Sequence, residues 1–181
     1  MEGRCRKVTS QNTPERTDCV DRIMAQWAQL RPEIDSHEMA LAGRLLRLTR
    51  AVSSDISANL AQFGLEPWQF DVLATLRRVG EAVTARRLAE STMVSQPALT
   101  NRVDKLVSKG WVFRTVDPNN RRQVLISLSP EGTELLDRVF PTHIEVCRTT
   151  PPGLTPEQRE ELEALLRLAL VAVEQSEGSD S

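Results

Sequence analysis

The chain has 181 residues, 40% of them apolar, with 25 acidic against 23 basic side chains and a net charge of −2. That supports one or two small cores, and without a run of about 18 apolar residues it excludes a membrane-spanning helix. Cys5, Cys19 and Cys147 are too far apart for a disulfide framework or a Cys-x-x-Cys knuckle, and with only His37 and His143 as imidazoles the usual zinc ligands are missing, so no cofactor is expected.

Residues 1–13 are polar and unpatterned, an expected disordered tail; Glu2, Arg4, Arg6 and Lys7 with no apolar stretch behind them do not form a secretory signal, so the protein is expected to be cytoplasmic. From Pro14 to Leu30, Val20, Ile23, Met24, Trp27 and Leu30 recur at helical spacing. Arg31-Pro32 ends that helix, and Asp35 or Ser36 can cap a long second one carrying Leu41, Leu45, Leu48, Val52, Ile56, Leu60 and Phe63 on one stripe. At about 1.5 Å per residue it has the length to exceed about 35 Å, which suits assembly. These helices, residues 14–62, form an expected N-terminal dimerisation region.

Residues 63–128 form the next module. Gly64 closes the long helix, and Pro67 opens a third that runs through Phe70, Val72, Leu73, Leu76 and Val79 to Gly80. A short helix capped by Thr84 follows, then a tight break at Thr92 to Ser95, then a second helix with Ser95 as its cap and Pro97 in its first turn. Two helices joined this closely are a helix-turn-helix. Gly110 stops the second helix, and two alternating strands, Trp111 to Val116 and Gln123 to Leu128, flank a turn rich in Asp, Pro, Asn and Arg. The fold class is therefore mainly α, an α+β winged helix-turn-helix with a two- or three-stranded wing sheet and a helical dimerisation region.

Residues 129–175 hold two more amphipathic helices. The first starts at Ser129-Pro130-Glu131 and meets Pro141, which should kink or divide it; the last opens on Thr155-Pro156-Glu157-Gln158, the pattern of a capping box. Residues 176–181 are a polar tail. The outer helices have no obvious partner within one winged domain, so a two-fold dimer is expected, reading two half-sites of a palindromic double-stranded DNA operator.

Charge agrees with this. Between Thr84 and Arg122, eight basic residues face three acidic ones, a net +5 that leaves −7 for the rest of the chain. Positive charge concentrated in one module is the footprint of phosphate binding. Gln96, Thr100, Asn101 and Arg102 have the reach and donors for base edges, with Ser95 at the helix start and Arg102 best suited to guanine. Lys105 and Lys109 lie further along and fit phosphate. Arg121, beside Arg122, is the expected minor-groove contact at the wing tip, and Asp117 is expected to brace it.

Leu88-Ala89-Glu90, Ser95-Gln96-Pro97, Thr100-Asn-Arg-Val-Asp-Lys-Leu106, Gly110-Trp111-Val112 and Asp117-Pro-Asn-Asn-Arg121-Arg122 together resemble the MarR family of winged-helix transcriptional regulators, over roughly residues 35–175. The resemblance implies a homodimeric repressor whose grip on its operator is loosened by a small molecule or oxidant. The added N-terminal helix and Phe70-Asp71-Val72-Leu73 followed by Arg78 look like the family's urate-responsive subgroup, which implies a ligand-responsive set at Trp27, Asp71, Arg78 and Arg114. Asp71 and Arg78, seven residues apart, return to within about 20° of one helix face, some 10 Å apart along the axis. A planar anion could lie against Trp27, be held by Arg78 and be repelled by Asp71, with urate the leading candidate and other aromatic anions behind it. The relay through Arg114 comes from the resemblance alone. Singly, these residues also admit plainer roles: Trp27 as core, Asp71 as a macrodipole partner, Arg114 as a phosphate contact.

Two other regulators remain open: a redox sensor using Cys19, against which the absence of tyrosine counts, and a ligand-independent DNA binder. An enzyme is not expected, because no nucleophile, base and orienting acid converge in the sequence.

Overall fold

The structure is a computed structural model describing residues 17–92 and 96–179; the expected 1–13 tail and the Ser95 cap lie outside them. The chain resolves into two compact units, one ending at Arg50 and the other beginning at Ala51. Among the described residues no helix is long and apolar enough to cross a membrane.

In the first unit, helix α1 (Cys19–Leu30) starts later than Pro14, because Asp18 caps it. The Asp18 carboxylate accepts from the Val20 and Asp21 amides at 2.7 and 3.0 Å, and the Asp21 carboxylate accepts from the Asp18 amide at 2.8 Å. This capping box satisfies three amides that the first turn would leave orphaned. Arg44 donates to both carboxylates. A short 3-10 helix, Ser36–Met39, capped by Asp35, leads into helix α2 (Ala40–Ala61). Its 22 residues span about 33 Å.

The second unit is built on helix α3 (Pro67–Val79), strand β1 (Val83–Thr84), helices α4 (Ala85–Thr92) and α5 (Gln96–Ser108), and strands β2 (Val112–Val116) and β3 (Val124–Leu128). The sheet has three antiparallel strands in the order β1-β3-β2, with Val112 opposite Leu128, Arg114 opposite Ile126, and Val83 opposite Ile126. One apolar core joins them: Leu60, Val72, Leu73, Leu76, Leu88, Leu99, Val103, Leu106, Val112 and Ile126 are buried together. Because Leu99, Val103 and Leu106 are the buried positions of α5, the opposite face of that helix is left to solvent.

Ser129, at the start of helix α6 (Pro130–Thr149), ties that helix to the end of α5. Ser129 Oγ donates to the Gly110 carbonyl at 2.7 Å and accepts from the Gly132 amide at 3.0 Å, while the Ser129 amide donates to the Trp111 carbonyl at 3.0 Å. Gly110 stands at φ 74°, the left-handed conformation that ends α5 and turns the chain into β2. Phe70 of α3 meets Phe140 of α6 edge-on at 5.9 Å. Of the kink or division expected at Pro141, division does not occur: α6 is one continuous element through Pro141, and the turns on either side carry the helix across the one missing donor. Helix α7 (Pro156–Ser179) starts on the expected box, with the Thr155 amide donating to Gln158 Oε1 at 3.0 Å and the Gln158 amide to Thr155 Oγ1 at 3.3 Å. It stays helical through Ser179, past the expected start of the polar tail.

Candidate nucleic-acid interface

The solvent face of α5 carries Thr100, Asn101, Asp104 and Lys105, all exposed, with Arg102 half-buried at its edge. Gln96 opens the helix. Arg102 is turned toward α3, its guanidinium carbon 5.7 Å from the centre of the Trp68 ring, and Lys105 Nζ lies 5.8 Å from the same ring. Lys109 Nζ sits 4.4 Å over Trp111. Both lysines expected to reach phosphate thus rest on indole faces in the free chain.

On the other flank of α5, the Arg114 side chain of β2 pairs with Asp104 and donates to the Thr100 carbonyl at 3.4 Å. The wing is therefore bonded to the recognition helix through Arg114. At the wing tip the Asp117 carboxylate accepts from the Asn119 amide at 2.8 Å, and Asn120 Oδ1 accepts from the Arg122 amide at 3.2 Å. The brace expected between Asp117 and Arg121 is a brace on the backbone instead, since an Asp at this turn position finds the amide two residues on before it can reach a long side chain. Arg121 and Arg122 are exposed and make no ion pair among the described residues. The positive charge of the module is redistributed: Arg86 pairs with Glu90 at 3.0 Å, Arg87 with Glu81 at 2.6 Å, and Arg114 with Asp104, while Arg102, Lys105, Lys109, Arg121 and Arg122 make no ion pair within 4 Å among the described residues.

Asp71 is exposed on α3, yet the protein bulk around it lifts its carboxyl above the usual range, against the opposing pull of Arg102 and Arg78. Sequence spacing anticipated Arg78 beside it; Arg102, from the recognition helix, was not anticipated. Arg114 is engaged with Asp104 and is not among the charges acting on Asp71. Trp27, on α1 with 37% of its surface exposed, belongs to the first unit, whereas Asp71, Arg78 and Arg114 belong to the second. Cys19, the redox candidate, is the half-buried first residue of α1 and lines a recess of about 270 Å³ with Asp18, Val20, Arg44, Arg47 and Leu48. Residue types at helical spacing did not point to Trp68, Asp104 or Asn120. Trp68 reads as one more apolar residue of α3, and the roles of the other two exist only once β2 folds against α5 and the wing turn closes.

A MarR family model matches residues 63–123. The transcriptional regulator PecS of Dickeya dadantii (strain 3937) is 33% identical over 149 residues, covering 81% of this chain and 90% of PecS. Among solved structures, BpsR of Bordetella bronchiseptica, whose DNA binding is regulated by 6-hydroxynicotinic acid, superposes with a TM-score of 0.63 at 27% identity, over 70% of this chain and 91% of BpsR. A mutant of Escherichia coli MarR in complex with operator DNA gives a TM-score of 0.61 at 27% identity, over 80% of this chain and 97% of MarR.

Proposed function

Because this chain belongs to the MarR family of transcriptional regulators, we propose that it is a homodimeric repressor that holds a palindromic operator and releases it when urate or a related small aromatic anion binds. The observation that carries the reading is the setting of Asp71 on α3, where burial raises the pKa of its carboxyl and the charges of Arg102, on the recognition helix, and Arg78, on its own helix, pull against that rise. In this reading Asn101, Thr100 and Gln96 address base edges, Lys105, Lys109 and Arg122 address phosphates, Arg121 enters the minor groove, and Asp117 shapes the wing turn. Trp27 offers a stacking face and Arg78 a planar fork for the effector. An anion held by Arg78 repels Asp71, and any shift of Asp71 changes the field at Arg102, so the effector reaches the DNA contact without passing through the wing. Arg114, bonded to Asp104, then carries the same movement from α5 into β2. BpsR supports the class of effector, since 6-hydroxynicotinic acid is itself a small heteroaromatic acid.

The test is thermal melting with and without urate, for the wild type, Trp27→Phe and Arg78→Ala. At about a hundredfold excess over Kd, a ligand that binds only the folded state adds about 2.7 kcal/mol, a shift of several degrees. The wild type should show it and both variants should lose most of it. A wild type that is unmoved by urate but shifted by another aromatic anion removes the urate assignment and leaves the regulator.

A further inference from the structure

The Trp68 ring on α3 is faced by two recognition-helix cations at once, at 5.7 Å for Arg102 and 5.8 Å for Lys105. Trp68 and Asp71 lie three residues apart on α3, and Arg102 and Lys105 three apart on α5, so each pair shares one helix face and the two faces meet. Like charges placed this way repel each other, so their convergence on one ring requires an attraction, which the negative face of the indole supplies. The ring is also held in place: Trp68 Nε1 donates to the Glu66 carboxylate, at the cap of the same helix. A carboxylate drawing on the indole N–H enriches the ring in electron density and strengthens its hold on cations.

We propose that Trp68 is a positioning residue for DNA binding, a fixed aromatic ledge on which Arg102 and Lys105 are pre-set for contact with the duplex. A guanidinium stacked by its face keeps its in-plane N–H donors free, and these are the donors that phosphate oxygens and guanine edges take. Long side chains already settled on the ring lose less freedom when DNA arrives. Lys109 on Trp111 uses the same device one turn further along. The inference rests on the reading of Arg102 and Lys105 as DNA contacts.

Trp68 is half-buried against the core, so the test must separate positioning from packing. Affinity is measured by fluorescence anisotropy on the palindromic duplex that the wild-type protein selects from a random library, with melting of each variant as a check on folding. Trp68→Leu should weaken binding about tenfold, within the range for a cation–π contact, and Trp68→Phe should recover most of that loss. In an Arg102→Ala, Lys105→Ala background, adding Trp68→Leu should cost less than about twofold, because the ring then has nothing to position. A full tenfold loss in that background makes Trp68 a packing residue only and overturns the proposal; so does an unaffected Trp68→Leu. If the double alanine variant itself binds like the wild type, the DNA-contact reading fails and takes this inference with it, an outcome distinct from weak binding with additive losses.

Discussion

The surroundings of His143 on α6 act on its titration. Its ring lies 4.4 Å from that of Phe70, its Nε2 is 3.6 Å from Cys147 Sγ, and its Nδ1 is buried without a hydrogen-bond partner among the described residues. Burial pushes its pKa below the ordinary histidine value near 6.5. The folded chain therefore binds fewer protons here than the unfolded chain. The associated stability is complete above about pH 6.5 and is lost as pH falls through the lower folded value. The thermal midpoint should drop more steeply between about pH 7 and 5 in the wild type than in His143→Phe; parallel curves would show that the ring is solvated. Asp71 has the opposite sign, because its raised pKa gives stability that is lost as pH rises from the ordinary carboxylate range, and the comparison of the two proteins cancels it. At this scale the sequence was legible where chemistry depends on neighbours along one helix, as for Asp71 and Arg78. It was not legible for Arg114, whose partner Asp104 lies across the turn from α5 to β2, nor for Arg102, whose half-buried position at the edge of α5 is set by α3.

At the scale of elements, boundaries with chemical punctuation were readable: Gly110, Ser129, and the Thr155 and Gln158 box each end or start a helix where expected. β1 went unread because two residues between helices carry no periodicity, and its place in the sheet depends on β3, some forty positions on. The junction of α5, β2 and α6 is the tightest of these places. A Cβ on Gly132 would stand 2.2 Å from the Trp111 carbonyl oxygen and 3.0 Å from Leu128 Cδ1, and the backbone oxygen is itself bonded to the Ser129 amide. Gly132→Ala should therefore cost roughly 3 kcal/mol, more than the ~1 kcal/mol of removing the Ser129 cap in Ser129→Ala. Urea unfolding of the two variants decides the order. A Gly132→Ala protein within about 0.5 kcal/mol of the wild type would mean that α6 slides to make room.

For the whole molecule, α7 presents a long run of exposed apolar side chains. Of its described side chains only Arg159 and Leu162 are half-buried, while Leu165, Leu166, Leu168, Leu170, Val171 and Val173 are exposed. Leu165, Leu166, Leu170 and Val173 continue the stripe begun at Leu162, but Leu168 and Val171 fall outside it. An apolar stripe this wide normally packs against a neighbour, and among the described residues these side chains of α7 stay exposed. α2 repeats the pattern, with Leu41 and Leu46 exposed by 71% and 72%. A second copy is the partner that the proposed repressor requires, since one recognition helix reads only one half of a palindrome. Glutamates at Leu166 and Leu170 would bring two charges into such an interface, each worth several kcal/mol when left unpaired. Sedimentation equilibrium on Leu166→Glu, Leu170→Glu should give a mass near the 20.3 kDa of one chain, where the wild type should give twice that. Circular dichroism should show the helices intact, and affinity for the full palindrome should fall toward that for a half-site. If the variant keeps the dimer mass, α7 lies outside the interface, and the exposed leucines of α2 become the surface through which two copies meet.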